Sequence, residues 1–197
     1  MPSLPLLCRT TTIGSTNGYD LNVSWRLPQT GLGEFALLWQ NTWLDTFTEI
    51  FETASGTTEV ERAGTERGSP SAAFPEWKSN LTADWRLGGW TAAATIRYTD
   101  SVRDTCRNGF GLGICTNEGP TEATSFNIMQ ATTYVDVQAS WAPAVLSNAW
   151  TFTVGINNVL DQEPPNCFSC ELNSFDAATY DVPGMFWYAR LVASFGK

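Results

Sequence analysis

The sequence predicts an all-β chain, an antiparallel transmembrane β-barrel meander of about seven strands that forms a partial barrel. Three observations predict it. Apolar and polar residues alternate strictly in seven segments, and helical periodicity is almost absent. The connections between these segments run short, long, short, long, short, long, the pattern of outer-membrane barrels with short periplasmic turns and long outside loops. Aromatic residues recur eight positions apart on the apolar parity of four segments.

The composition sets bounds on function. A chain of 197 residues is long enough for one domain with a real core. The balance of 20 Asp+Glu against 11 Lys+Arg lacks the basic footprint that nucleic acid requires, so no nucleic-acid partner is expected. No stretch approaches the ~18 consecutive apolar residues of a membrane-spanning helix. Histidine is absent, which removes Ser-His-Asp and Cys-His catalysis and every histidine-containing metal site. With no other convergent set, no catalytic residue, cofactor or metal is expected, and the chain does not read as an enzyme. At the amino end, "MPSLPLLCRTTT" has too short an apolar run for a signal peptide and no basic residues before it. Leu7 is too bulky for a lipoprotein cleavage site there. Residues 1–16 are expected to be a loop or remnant, and residues 17–197 the barrel portion.

The elements follow in order. "YDLNVSWRL" places Tyr19, Leu21, Val23, Trp25 and Leu27 on one face, against Asp20, Asn22, Ser24 and Arg26. A second strand covers about 35–47, and a Ser/Thr/Gly/Glu-rich loop about 48–75. The third strand sets Trp77, Leu81, Ala83, Trp85 and Leu87 against Lys78, Asn80, Thr82, Asp84 and Arg86. Gly88 and Gly89 turn it into Trp90, Ala92, Ala94, Ile96 and Tyr98. A loop over about 102–131 precedes Val135, Val137, Ala139 and Trp141, and the short "APAVLSNA" leads to Trp150, Phe152, Val154 and Ile156. The last long loop, about 161–183, precedes "FWYARLVASF".

Aromatic placement decides the solvent. Trp25, Trp85, Trp141 and Phe195 come late in strands that enter short turns or the carboxyl end, and Phe35, Trp90 and Trp150 come early in strands that leave short turns. All seven therefore mark one end of the sheet. Eight residues away lie Trp43 from Phe35, Trp77 from Trp85, Tyr98 from Trp90 and Trp187 from Phe195. An even spacing keeps each pair on one face, about 26 Å apart along the strand. A tilt of roughly 40° brings that to about 20 Å along the membrane normal, near the ~25 Å apolar band of such barrels. Two aromatic belts at lipid–water boundaries are thus expected, with outer-membrane lipid as partner. The opposite parity carries Asp20, Arg26, Lys78, Asp84, Arg86, Arg97, Asp136 and Arg190, charges that a dry sandwich core would not tolerate. The competing reading is a soluble β-sandwich that binds carbohydrate through surface tryptophans. Asn41 breaks the apolar parity of the second strand and leaves its register open.

"TFTVGINNVLDQEPP" and "YDVPGMFWYARLVASF" resemble the carboxyl end of TonB-dependent outer-membrane receptors. Asn157, Asn158, Leu160 and Asp161 match the motif before the last outside loop. Tyr180, Asp181, Pro183 and Gly184 match the opening of the terminal strand, and Phe195 its aromatic end. "FPEWKSNLTADW" and "TTYVDVQASW" also resemble strands of the family, so the likeness runs from about Tyr19 onward. Met185 departs from the usual arginine, and Gly196 and Lys197 extend past the terminal aromatic.

The resemblance implies a receptor in the outer membrane of a Gram-negative bacterium. It would import a scarce small-molecule or oligosaccharide ligand, such as a siderophore, cobalamin or an oligosaccharide. The three long loops would form part of the capture rim, and Arg97 and Asp136 would face the plug. No ligand-binding residue carries over, because the family shares scaffold motifs. The family's signal peptide, coupling box and plug domain have no counterpart, so the TonB complex would act only through a missing amino-terminal region. Against about 22 strands in a family barrel, seven suggest the carboxyl third of a receptor: a truncated frame, a remnant or a piece of a split protein. An odd number of alternating strands cannot close by an antiparallel seam. Such a chain would misassemble, pair with another, or borrow an eighth strand from residues 1–16 to make a small autonomous barrel, structural or adhesive.

Outside the cell, oxidising conditions favour disulfides Cys106–Cys115 and Cys167–Cys170 within two long loops. A four-cysteine zinc site is the rival, weakened by the wide spacing of the first pair. Cys8 is left over. "GFGLG" lacks the strand–helix setting of a nucleotide loop. Asp161 with Glu163, and Asp176 with Asp181, offer acid/base or calcium pairs on acidic loops. "NVS" and "NLT" fall within strands and carry no glycosylation reading.

Overall fold

The computed structural model describes residues 12–53, 56–68, 70–106, 113–116, 124–146, 149–171 and 173–194. Phe195, Cys8, most of "GFGLG" and residues 1–11 lie outside them. One large antiparallel sheet of eight strands dominates. It comprises β1 (Thr12–Arg26), β2 (Glu34–Thr53), β3 (Gly56–Glu61), β4 (Trp77–Leu87), β5 (Trp90–Thr99), β6 (Thr132–Trp141), β7 (Trp150–Asn157) and β8 (Phe186–Ala193). Seven of these form a meander in the order β1-β2-β4-β5-β6-β7-β8, and β3 pairs with β2. The sheet is not closed on itself: β1 and β8 each have one sheet neighbour among the described residues.

All seven expected strands form, and the register keeps their apolar parities in line. Leu37 faces Ala83, Ala83 faces Ala94, Ala94 faces Val137, and Val137 faces Ile156. A one-residue slip would turn every side chain to the other face. No second sheet covers this apolar side, and Ile96 and Phe152 are each 42% exposed. A sandwich interior would have buried them.

Asn41 sits on the apolar parity without breaking the register. It is 2% exposed, and its Oδ1 accepts the indole N–H of Trp77 at 3.2 Å. On the neighbouring rung Ser79 faces Asn41, and its Oγ accepts the indole N–H of Trp39 at 3.0 Å. Two tryptophans thus cover the two polar groups and supply a donor to each oxygen, while Asn41 Nδ2 has no acceptor among the described residues.

Two expected boundaries change. The described part of the 1–16 segment, 12–16, is neither a loop nor a separate strand. It extends β1, with Thr16 opposite Phe47 and Thr12 opposite Phe51. The expected 48–75 loop begins as strand, because β2 continues to Thr53 and returns as β3, with Thr48 opposite Glu61. β3 fills the side of β2 that β4 leaves beyond the Trp43–Trp77 rung. A ribbon in water still needs its backbone groups paired, and the threonine-rich alternation here suits that.

The long loops build a compact cap. Within them Thr65–Glu66 pairs with Ala73–Phe74, Thr65 bridges to Arg103 in parallel, and Val102–Arg103 pairs with Ile128–Met129. The buried hydrophobic cluster of the described chain lies here: Ala73, Val102, Met129, Tyr134, Cys167, Cys170 and Tyr180. Where side chains meet water on all sides, apolar ones must hide in one another, which explains where this core forms.

Candidate functional site

The residues of the two carboxyl motifs meet at the corner where the sheet enters the cap. Arg97 of β5 holds Asp136 of β6 through Nε at 2.7 Å and through a second guanidinium nitrogen at 3.2 Å. The same guanidinium reaches Asp181 in the last loop and lies 5.0 Å from the centre of the Tyr134 ring. Paired carboxylates and an aromatic face suit a planar cation that is only partly solvated.

Asp136 also accepts the backbone N–H of Asn158 at 2.8 Å. Asn158 has a φ of 52°, and its side chain closes a turn by exchanging two hydrogen bonds with the Gln162 backbone at 2.9 Å. Asparagine tolerates that left-handed geometry better than most residues. Asp161, with the same φ, accepts the Met185 N–H at 2.7 Å. A Cβ at Gly184 would lie 2.5 Å from Asp161 Oδ1, so a larger residue would push that carboxylate away from the Met185 amide. Asn157 forms the last rung of β7, opposite Phe186, and Pro183 lies exposed just before the glycine. Tyr180 is 3% exposed within the cap. Except for Phe195, outside the described residues, the motif therefore does mechanical work, tying the last loop to the wall.

The cap is fastened by groups that sequence patterning did not single out. Asp104, 2% exposed, accepts from the backbone of Thr105, Phe168 and Ser169, from the Ser169 hydroxyl and from the Asn127 amide. Glu49 of β2 is held by Arg62 at 2.7 Å and Arg67 at 3.1 Å. Disulfides join Cys106 to Cys115 and Cys167 to Cys170, so no four-thiolate zinc site forms. The proposed acid pairs are committed elsewhere: Asp161 to the Met185 amide, Asp181 to Arg97, and Asp176 to the Ala73 and Ala178 amides.

Two concave regions lie on the polar side. Near the short turns, a cavity of about 670 Å³ is lined by Arg26, Glu34, Asp84, Arg86, Gln138 and Ser140, among others. At the cap, a groove of about 410 Å³ is lined by Asn127, Gln130, Thr132, Gln162, Glu163 and Phe168, among others. Between them Tyr188 donates to Gln138 at 3.1 Å.

The aromatics on the other face gather in two groups. Trp43 stacks on Trp77 at 6.4 Å, and Trp77 meets Tyr98 at 4.7 Å. Trp90 stacks on Trp141 at 5.5 Å, and Trp141 meets Phe152 at 6.1 Å. Trp85 caps the first short turn by donating to the Leu32 carbonyl at 2.7 Å. Trp25 and Trp187 are exposed, whereas Phe35 and Trp150 are half-buried. Trp39, whose indole covers Ser79, belongs to the same face and was missed because it breaks the eight-residue spacing.

The family model described as "TonB dependent receptor-like, beta-barrel" matches residues 8–159. No curated protein and no solved structure matches the chain significantly.

Proposed function

The chain belongs to the TonB-dependent receptor-like β-barrel family, and on that footing we propose that it is a section of receptor wall that carries its own part of the ligand-capturing mouth. The family consists of outer-membrane receptors and transporters of Gram-negative bacteria rather than enzymes. In this reading lipid surrounds the face that bears Leu81, Ile96 and Phe152, and the two aromatic groups sit at its two boundaries. The polar face lines the lumen. Its cavity beside Arg26, Glu34, Asp84 and Arg86 meets the plug with charges of both signs, and the TonB complex acts through that plug region. The groove beside Asn127, Gln130, Gln162 and Glu163 contributes amide and carboxylate contacts to a polar ligand: a siderophore, cobalamin or an oligosaccharide.

One observation carries the proposal. A single open sheet exposes its apolar face, and its long connections collect at one end into a disulfide-bonded cap. The test is cysteine labelling in intact cells with a membrane-impermeant maleimide. Gln130→Cys in the cap should label, and Gln29→Cys at a short turn should label only after the outer membrane is opened. Recovery of the chain in the soluble periplasmic fraction, with both positions equally labelled, would sink the reading. Uptake of radiolabelled iron chelate, cobalamin or oligosaccharide by expressing cells then sorts the ligand class.

A further inference from the structure

Two carboxyl side chains are completely buried next to each other in the cap. Glu66, from the short strand Thr65–Glu66, and Asp176, from the last loop, are both 0% exposed, and the successive N–H groups of Ala72 and Ala73 bind one carboxyl each, which sets the two side by side. Glu66 Oε1 accepts the N–H groups of Gly68 at 3.0 Å and Ala72 at 2.8 Å. Asp176 accepts Ala73 N–H at 3.1 Å and Ala178 N–H at 2.9 Å. Glu66 Oε2 has no donor among the described residues.

The ion pairs of the described residues join Glu49 to Arg62 and Arg67, and Arg97 to Asp136 and Asp181. Neither Glu66 nor Asp176 takes part in one. Lys78 attracts Asp176 but forms no ion pair with either carboxyl among the described residues, and two adjacent buried negative charges without a direct counter-ion are strongly disfavoured, which calls for a positive charge between them. A metal ion fits poorly. The sulfurs of Cys167 and Cys170 lie within 4.8 Å of the Glu66 carboxylate. As a disulfide they offer no thiolate. Apart from Oε2, the carboxylate oxygens already accept N–H groups, which leaves too few donors for a hard cation. A proton on Oε2 satisfies that oxygen at once, because the resulting O–H can donate to Asp176.

We propose that Glu66 and Asp176 share one proton, forming a clasp that fastens the 62–75 hairpin to the last outside loop and loosens when the proton leaves. The clasp joins segments 110 positions apart, the difference between 66 and 176, and both border the capture rim. Burial first, then the charge of Asp176, pushes the Glu66 carboxyl up to about 7 from an ordinary 4.5. Other groups that bear on the pair are Tyr180, which feels both carboxyls, and Lys78, which attracts Asp176. Burial and the nearby carboxylates raise the Tyr180 hydroxyl, so it stays neutral.

The direction of the effect follows. Because the closed form holds its proton more tightly than the open form, the clasp is at full strength below about pH 4.5 and is lost as pH rises through about 7. Local opening should rise roughly tenfold per pH unit across that window and then level off, since above it both forms are ionised.

The experiment is hydrogen exchange, corrected for intrinsic rates, in outer-membrane vesicles that carry the assembled protein. Amides at Gly68, Ala72, Ala73 and Ala178 should lose protection about tenfold per unit between pH 5 and 7 and then change little. Glu66→Gln, which keeps a donor toward Asp176 without the titration, should hold them protected throughout; Asp176→Asn, which removes the neighbouring charge but leaves Glu66 buried, should make the slope end at a lower pH. The proposal fails if the wild type shows no pH slope, or if the slope persists unchanged in both variants. It also fails if 1 mM calcium at pH 8 restores protection to the wild type, which would make the site a cation site.

Discussion

The wall and the cap of this chain solve the same problem with opposite means. In the wall, Leu21, Leu81, Ile96, Phe152 and Leu191 remain exposed and the strands touch only their neighbours. On the proposed reading, stability there comes from the ladder and from lipid that stands where a core would be. In the cap, apolar groups are hidden together, and the polar ones beneath them, Glu66, Asp104 and Asp176, each accept backbone N–H groups. Water outside the cap demands such packing, whereas hydrocarbon around the wall does not. The two regions should therefore fail independently and under different insults.

The largest contrast should come from a charge placed in mid-wall. Leu81 lies four residues from both Trp77 and Trp85 and is exposed on the apolar face. Leu81→Arg should cost about 2–4 kcal/mol of folding free energy in a bilayer, measured by urea titration of barrel folding into vesicles. Arginine at the exposed cap residue Phe168 should change the same titration by less than ~0.5 kcal/mol. Equal effects would mean that lipid does not surround the wall.

Next in size is Asp104→Ala, which strands the Phe168 and Ser169 donors and the Asn127 amide. A local loss of about 2–3 kcal/mol is expected for such buried groups. It should appear as faster exchange and proteolysis within 161–183 while the wall's folding midpoint stays put. A matching shift of the wall would erase the division between the two regions.

That division also explains what could be read from sequence. Wall strands face one environment on each side, so alternation was enough to place β4 to β7, and the eight-residue aromatic spacing marked both ends of β4 and β5. Asn41 looked like a flaw because its partner, the Trp77 indole, lies on another strand. The carboxyl motifs were visible as a resemblance, but their mechanics depend on contacts such as Arg97 with Asp181, 84 positions apart. Glu66 and Asp104 had no local signature at all. Their burial depends on where three loops meet, and nothing in the periodicity of a loop encodes that.

Arg97 bridges the two regions, so its loss should be intermediate. Arg97→Met frees Asp136 and Asp181, which are partly solvated, at a cost of about 1–2 kcal/mol. Exchange should rise at Asn158 and in residues 180–185, and the strand amides below Thr95 should be unaffected. Uniform loosening of β5 and β6 would instead make Arg97 part of the wall proper.

The smallest expected effect sharpens the comparison through its sign. Glu61, at the exposed base of the β2–β3 hairpin, accepts the N–H groups of Phe47, Arg62 and Ala63 and the Thr48 hydroxyl. Those bonds, led by Ala63 and then Phe47, hold its carboxyl below the usual 4.5. A depressed carboxyl stabilises the folded hairpin above about pH 4.5, and that support fades as pH falls through the folded value. Acid should thus fray this hairpin over a range in which the buried Glu66 is fully protonated and its clasp is tightest. Exchange at Phe47, Arg62 and Ala63 should accelerate slightly below pH 4.5, after intrinsic correction. Glu61→Gln, which keeps an acceptor oxygen but cannot titrate, should flatten that acid response. If acid loosened the hairpin and the Glu66 region together, the cap would be one cooperative unit governed by net charge, and neither carboxyl could be assigned its own pH window.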